Sequence, residues 1–110
     1  MRYPGLKGDK YYALAQKYMP LGASGVISFG VKGTREDAMR LMDSLKMIKI
    51  VVHVADARTC VLHPASMTHR QLTDEQLVKA GISPTMVRLS VGIEHIDDIL
   101  ADLEQAFNAI

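Results

Sequence analysis

Between Met86 and Val91 the apolar residues fall at every second position, with Val87, Leu89 and Val91 separated by Arg88 and Ser90. A period of two marks a strand with one buried face, so the first set should enter a core and Arg88 should project from the opposite face. This constrains the fold to a sheet covered on one side only, because an unpaired guanidinium is too costly to bury. The planar fork of arginine matches a carboxylate through two parallel hydrogen bonds. Pattern alone allows two partners for Arg88: a carboxylate on a neighbouring helix, or an anionic ligand.

Around this strand the chain alternates elements. The stretch to Gly22 holds a short helical pattern from Asp9 to Tyr18, closed by Met19-Pro20 and rich in tyrosine, and reads as an arm. Gly25 to Lys32 is strand-like. Thr34 then opens a helix running to about Leu45, with Asp37 completing a capping box and Ala38, Leu41, Met42 and Leu45 on one face. Met47 to Val54 is rich in β-branched residues and reads as a buried strand. The turn Ala55-Asp56-Ala57-Arg58 joins it to a second strand, Thr59 to His63, ended by Pro64. Thr73 and Gln76 form another capping box before a short helix stopped by Gly81. The last helix, about His95 to Ala109, places Ile96, Ile99, Leu100, Leu103 and Phe107 on one stripe, with Asp97 and Asp98 near its positive end. The order predicts an α+β fold: an open, mostly antiparallel sheet of about four strands with helices on one face. Residues 1–22 are expected to form the arm and linker helix, and residues 23–110 the domain.

With 110 residues the chain suffices for one core. Thirteen basic against twelve acidic residues, in no blocks, make nucleic acid and anionic membrane poor partners. Apolar runs are too short to span a bilayer, and Met1-Arg2-Tyr3-Pro4-Gly5 lacks a signal-peptide core, so a soluble, cytoplasmic protein is expected. Cys60 stands alone in a strand-like run, which suits a buried inert thiol. His53, His63, His69 and His95 show no metal-ligand spacing. No serine sits in a nucleophile elbow, and no glycine-rich loop opens a helix to cradle phosphate. His63 reads as a hydrogen-bonded structural residue, whereas His69 could equally line a cleft.

Several runs occur in one order: Tyr3-Pro4-Gly5-Leu6, Tyr11-Tyr12-Ala13-Leu14-Ala15, Gly22-Ala23-Ser24-Gly25-Val26, His63-Pro64-Ala65-Ser66-Met67-Thr68-His69, Met86 to Glu94, and Asp97-Asp98-Ile99-Leu100-Ala101-Asp102-Leu103. Together they resemble the carboxyl-terminal end of the Cys/Met-metabolism family of pyridoxal-phosphate enzymes. The resemblance covers essentially the whole chain and implies the C-terminal domain of the type I fold of these enzymes. The family's Schiff-base lysine, its pyridinium aspartate and its phosphate cup belong to a larger preceding domain, and none of those motifs is present here. The resemblance therefore implies pyridoxal phosphate in the intact enzyme and no cofactor bound by this chain alone.

Onto this sequence the resemblance carries four substrate-binding residues and no catalytic one. Arg88 matches the arginine that binds the substrate α-carboxylate, a positioning role. His53 matches a position whose backbone also contacts that carboxylate, where serine or asparagine is more usual. Thr68 matches a residue lining the substrate pocket, and Ser66 is a weaker candidate for the same wall. Read without the family, His53 could be an alternate-face polar residue and Thr68 a turn cap. The implied reaction of the intact enzyme is γ-replacement of O-acetylhomoserine by sulfide or methanethiol, giving homocysteine or methionine. A γ-lyase or split enzyme, and a stand-alone amino-acid-binding or oligomerisation module, are the alternatives. Partners expected are an amino-acid carboxylate and either the missing cofactor domain or further copies of the chain, met through exposed apolar surface.

Overall fold

A computed structural model describes residues 1–53 and 55–110. Its described elements are α1 (Tyr12–Tyr18), β1 (Val26–Gly30), α2 (Arg35–Asp43), β2 (Lys49–Ile50), β3 (Cys60–Leu62), α3 (Asp74–Lys79), β4 (Met86–Ser90) and α4 (Ile96–Phe107). The alternating strand lies inside the sheet, whose order is β1-β4-β3-β2. β4 runs antiparallel to both β1 and β3, while β2 pairs parallel to β3, so the sheet is mixed.

Register settles the two faces. Leu89 lies between Ile27 and Val61, and Val87 opposite Phe29, with Val87 and Leu89 buried. These side chains join Ala38, Leu41 and Met42 of α2 and Ile99 and Ala106 of α4 in one core. Full burial of each large aliphatic group contributes about 1.5–3 kcal/mol before the entropy of ordering is counted. Ser28 and Leu62 flank Arg88 on the other face. Both capping boxes form completely, Thr34 with Asp37 and Thr73 with Gln76. Gly81 follows α3 with φ +79°, the left-handed stop the sequence predicts.

Four expectations are corrected. Met47 to His53 does not form a long buried strand: the strand is Lys49–Ile50, both exposed, with one further hydrogen bond from Val51 N–H to the Val61 carbonyl at 3.1 Å. Val54 itself lies outside the described residues. β2 occupies the sheet edge and has a neighbour on one side only, so its β-branched residues are not sandwiched. The strands on either side of Ala55-Asp56-Ala57-Arg58, expected within a mostly antiparallel sheet, pair parallel, Lys49 with Cys60, so the chain doubles back before β3 begins. Ala55 bends there with φ +63°, the one non-glycine residue at positive φ among those described. Val91 lies beyond the end of β4 and is exposed. The α4 stripe is also displaced: Ile99, Asp102 and Ala106 are buried, while Ile96, Leu100 and Phe107 are exposed.

Asp102 explains the displacement. Its carboxylate accepts the N–H groups of Lys46 (2.9 Å), Met47 (3.0 Å) and Ile48 (2.8 Å) and is reached by Gln105 Nε2 at 3.1 Å. Gln105 Nε2 also donates to the Ser44 carbonyl. Three successive amides leaving α2 are thus satisfied by one buried side chain of α4, which rotates the helix so that Asp102 faces inward. The first residues are less detached than an arm: Arg2 and Ser28 exchange backbone hydrogen bonds at the outer edge of β1, and Ala15 is buried. Among the described residues no helix is long and apolar enough to cross a membrane.

Candidate functional site

Arg88 stands half-buried on the sheet face away from the core, between Ser28 and Leu62. Its Nη2 donates to the Val52 carbonyl at 3.2 Å. Among the described residues no carboxylate lies within ion-pair distance of it, so the helix partner allowed by the pattern is not found. The site therefore offers a positive, planar donor group whose one hydrogen-bond partner among the described residues is a neutral backbone oxygen.

The loop that supplies this oxygen is tied down by the residues that follow β4. Glu94 accepts the Thr59 N–H at 2.7 Å and the Thr59 hydroxyl at 2.6 Å, and that hydroxyl accepts the Gly92 N–H at 2.9 Å. Ile93 N–H donates to the Ala57 carbonyl at 2.9 Å. The Thr59 hydroxyl and N–H hold the Glu94 carboxyl below the usual carboxylate range. Within the same loop the Arg58 guanidinium and N–H depress Asp56 further still. Sequence reading singled out the Val91-Gly92-Ile93-Glu94 run but assigned no role to Glu94 or Thr59, because their contact spans 35 residues.

His53 follows the carbonyl that Arg88 grips. Its ring is exposed and Nδ1 lies 3.9 Å from Asp56 Oδ2. In a trans peptide the His53 N–H is directed opposite to the Val52 C=O, hence away from the guanidinium. Thr68 is exposed, with its hydroxyl 2.9 Å from His69 Nδ1. Ser66 lines a cleft of about 200 Å³ with Met39 and Met42 of the α2 side, and its hydroxyl meets His63 Nδ1 at 2.7 Å. No hydrogen bond joins Ser66 or Thr68 to Arg88 among the described residues. The structure thus brings His53 beside Arg88 but does not gather all four residues.

His63 is fully buried, with Nε2 2.7 Å from the Pro84 carbonyl. A carbonyl only accepts, so Nε2 carries the proton and Nδ1 accepts from Ser66. The ring joins the exit of β3 to the entry of β4, the structural role expected of it. Cys60 is buried, and burial pushes its thiol up, followed by the nearby Asp56 carboxylate. No three His, Cys, Asp or Glu residues among those described are placed to hold a metal ion. A larger cavity, about 620 Å³, lies in the arm against Tyr3, Tyr11, Leu14 and Tyr18, away from Arg88.

A family model described as Cys/Met metabolism PLP-dependent enzyme matches residues 1–108. The chain belongs to this family. O-acetyl-L-homoserine sulfhydrylase of Leptospira meyeri is 46 % identical over 111 residues, covering 100 % of this chain and 25 % of the relative. Homocysteine synthase of Schizosaccharomyces pombe is 45 % identical over 104 residues, covering 94 % of the chain and 24 % of its own length. A Campylobacter jejuni structure assigned as an O-acetylhomoserine (thiol)-lyase superposes with a TM-score of 0.85 at 41 % identity, over 96 % of this chain and 25 % of that one. The chain spans about a quarter of the length of these relatives. The Campylobacter protein carries N′-pyridoxyl-lysine-5′-monophosphate at a lysine outside the matched part.

Members of this Cys/Met metabolism family depend on pyridoxal phosphate. The described residues do not build a cradle for it. All seven lysines, at 7, 10, 17, 32, 46, 49 and 79, are exposed on the surface. None is enclosed with a carboxylate and converging backbone amides. Arg88 lies on the sheet face away from the core, where Leu62 beside it is buried.

Proposed function

We propose that this chain is the substrate-carboxylate-binding part of a sulfur amino-acid enzyme of the pyridoxal-phosphate class, and that Arg88 orients the amino acid. The intact enzyme would exchange the acetate of O-acetylhomoserine for sulfide or methanethiol. Arg88 carries this reading: it is half-buried on the sheet face away from the core without an acidic partner among the described residues, which suits a group reserved for an incoming carboxylate. His53, at the adjoining peptide, and Thr68, in the loop after β3, would complete the wall beside the bound amino acid. Ser66 would act through His63, whose ring it steadies. Because the lysines are exposed and the described residues form no cofactor cradle, the chain alone should turn over nothing.

Titration of the isolated chain with O-acetylhomoserine, followed by amide and arginine side-chain NMR, tests the assignment. Shifts centred on Arg88 and its neighbours Ser28 and Leu62 should saturate with Kd on the order of 1–10 mM, as befits a partial site. They should vanish in Arg88→Ala, weaken in Arg88→Lys, and be absent with the methyl ester, which lacks the acid group. Shifts that survive Arg88→Ala would overturn it. Fused to the cofactor-bearing portion of the Leptospira meyeri relative, the chain should support homocysteine formation. Release of a keto acid without sulfide incorporation would instead favour a methionine gamma-lyase.

A further inference from the structure

We propose that Glu94 and Thr59 are positioning residues for Arg88: they fix the return of the loop whose Val52 carbonyl directs the guanidinium. Register brings the two groups within reach. Leu62 of β3 lies opposite Arg88 of β4, and in the parallel pair β2–β3 the Val51 N–H donates to the Val61 carbonyl at 3.1 Å. Val52 follows at the sheet edge, and Arg88 Nη2 reaches across β3 to its carbonyl at 3.2 Å.

The anchor at Val51 does not by itself orient that carbonyl. A chain held on this side alone keeps rotation about the backbone bonds of Val52, the soft dihedrals that set the direction of the C=O. Fixing the loop where it returns to β3 removes that freedom, because a short loop closed at both ends has few conformations left. Asp56 accepts the N–H, Nε and Nη2 of Arg58, which stiffens the loop internally without joining it to the sheet. The joining falls to the residues after β4. Ile93 N–H donates to the Ala57 carbonyl, and the Glu94 carboxylate takes both the N–H and the hydroxyl of Thr59. An ionised carboxylate only accepts, so the Thr59 hydroxyl donates to Glu94 and its oxygen is left to accept the Gly92 N–H. Thr59 is fully buried, where such a relay is stronger than in water. Coupling thus runs from Glu94 through Thr59 and the loop to Val52 and Arg88. Only its consequence for amino-acid binding rests on the role proposed for Arg88 above.

Side-chain NMR of the 110-residue chain without ligand tests the coupling. In Thr59→Val, which keeps the shape and removes the hydroxyl, the order parameter of the Arg88 Nε–H bond should fall and its chemical shift should move toward that of a free arginine. Thr59→Ser keeps the hydroxyl and should restore both. Thr34→Ala unfastens the cap of α2 and lowers the melting temperature, yet should leave the Arg88 signal in place, which separates positioning from general destabilisation. Titration with O-acetylhomoserine reads the consequence: Kd should rise roughly threefold to tenfold in Thr59→Val, through lost preorganisation, and return with serine. If Thr59→Val unfolds, Glu94→Gln carries the test, since its amide oxygen still receives the Thr59 N–H while its nitrogen cannot accept the hydroxyl, and both readouts should move the same way. An Arg88 signal unchanged in the folded variant, or moved equally by Thr34→Ala, would overturn the proposal, as would an unchanged Kd beside a moved signal. If the wild type binds no O-acetylhomoserine, or Arg88→Ala binds it as well, the substrate-binding reading falls by itself and the ligand-free signal alone decides the positioning role.

Discussion

Gly92 tolerates no side chain. A Cβ there would overlap the backbone of Ala57, Arg58 and Thr59, all of which are fixed by the hydrogen bonds to Ile93 and Glu94. Gly92→Ala should therefore destabilise the fold by about 2–3 kcal/mol, measured by urea unfolding, because backbone cannot yield as the tip of a long side chain can. Arg88 shows the opposite balance: it is half-buried with one hydrogen bond to a neutral carbonyl, so its replacement should cost stability less than that of Gly92, about 1 kcal/mol. Both residues were visible in the sequence, Arg88 through its interruption of an apolar alternation and Gly92 within a recognisable run. The need for glycine was not visible, because it arises from the close approach of a segment more than thirty residues upstream.

Among elements, the joint between α2 and β2 concentrates the most consequence in one side chain. Asp102→Ala would strand three amide groups, at Lys46, Met47 and Ile48, in the space beneath α4. Water would reach some of them, so a loss of roughly 3 kcal/mol is expected by denaturant titration, with faster hydrogen exchange confined first to those amides. Periodicity could not have found this. An aspartate inside a helix reads as a solvent-facing residue, and only the unsatisfied amides of a distant turn make its burial favourable. Capping boxes, by contrast, were legible to the residue, since Thr34 with Asp37 and Thr73 with Gln76 act within a single turn. The edge position of β2 depends on pairing across the sheet and left no local trace. The apolar arc of α4 is wide enough to suit two orientations, and Asp102 decides between them.

For the molecule as a whole, acid should unfold the chain through its depressed carboxylates. Burial acts to raise Asp102, but the N–H groups of Ile48, Lys46 and Met47 and the Gln105 amide outweigh it and hold the group below its ordinary value. Glu94 is lowered by Thr59, and Asp37 by the N–H and hydroxyl of Thr34. A depressed carboxyl adds stability above its unfolded value, about 3.9 for aspartate, and that stability is lost as the pH falls through the folded value. The stability gap between the wild type and Asp102→Asn should accordingly be widest above about pH 5 and narrow toward pH 2, as read from melting temperatures. The layered α+β plan was legible because it follows from the order and period of the elements. The placement of the proposed binding residues was less so, because His53 lies where a strand was expected and Ser66 is engaged by His63. The grip of Arg88 on the Val52 carbonyl sets the terms for any acid that arrives there. With one of its five N–H groups held there, the guanidinium is aimed before any acid comes, and the remaining donors are left to receive it; only an acid that displaced the carbonyl would forfeit that neutral hydrogen bond, about 1 kcal/mol.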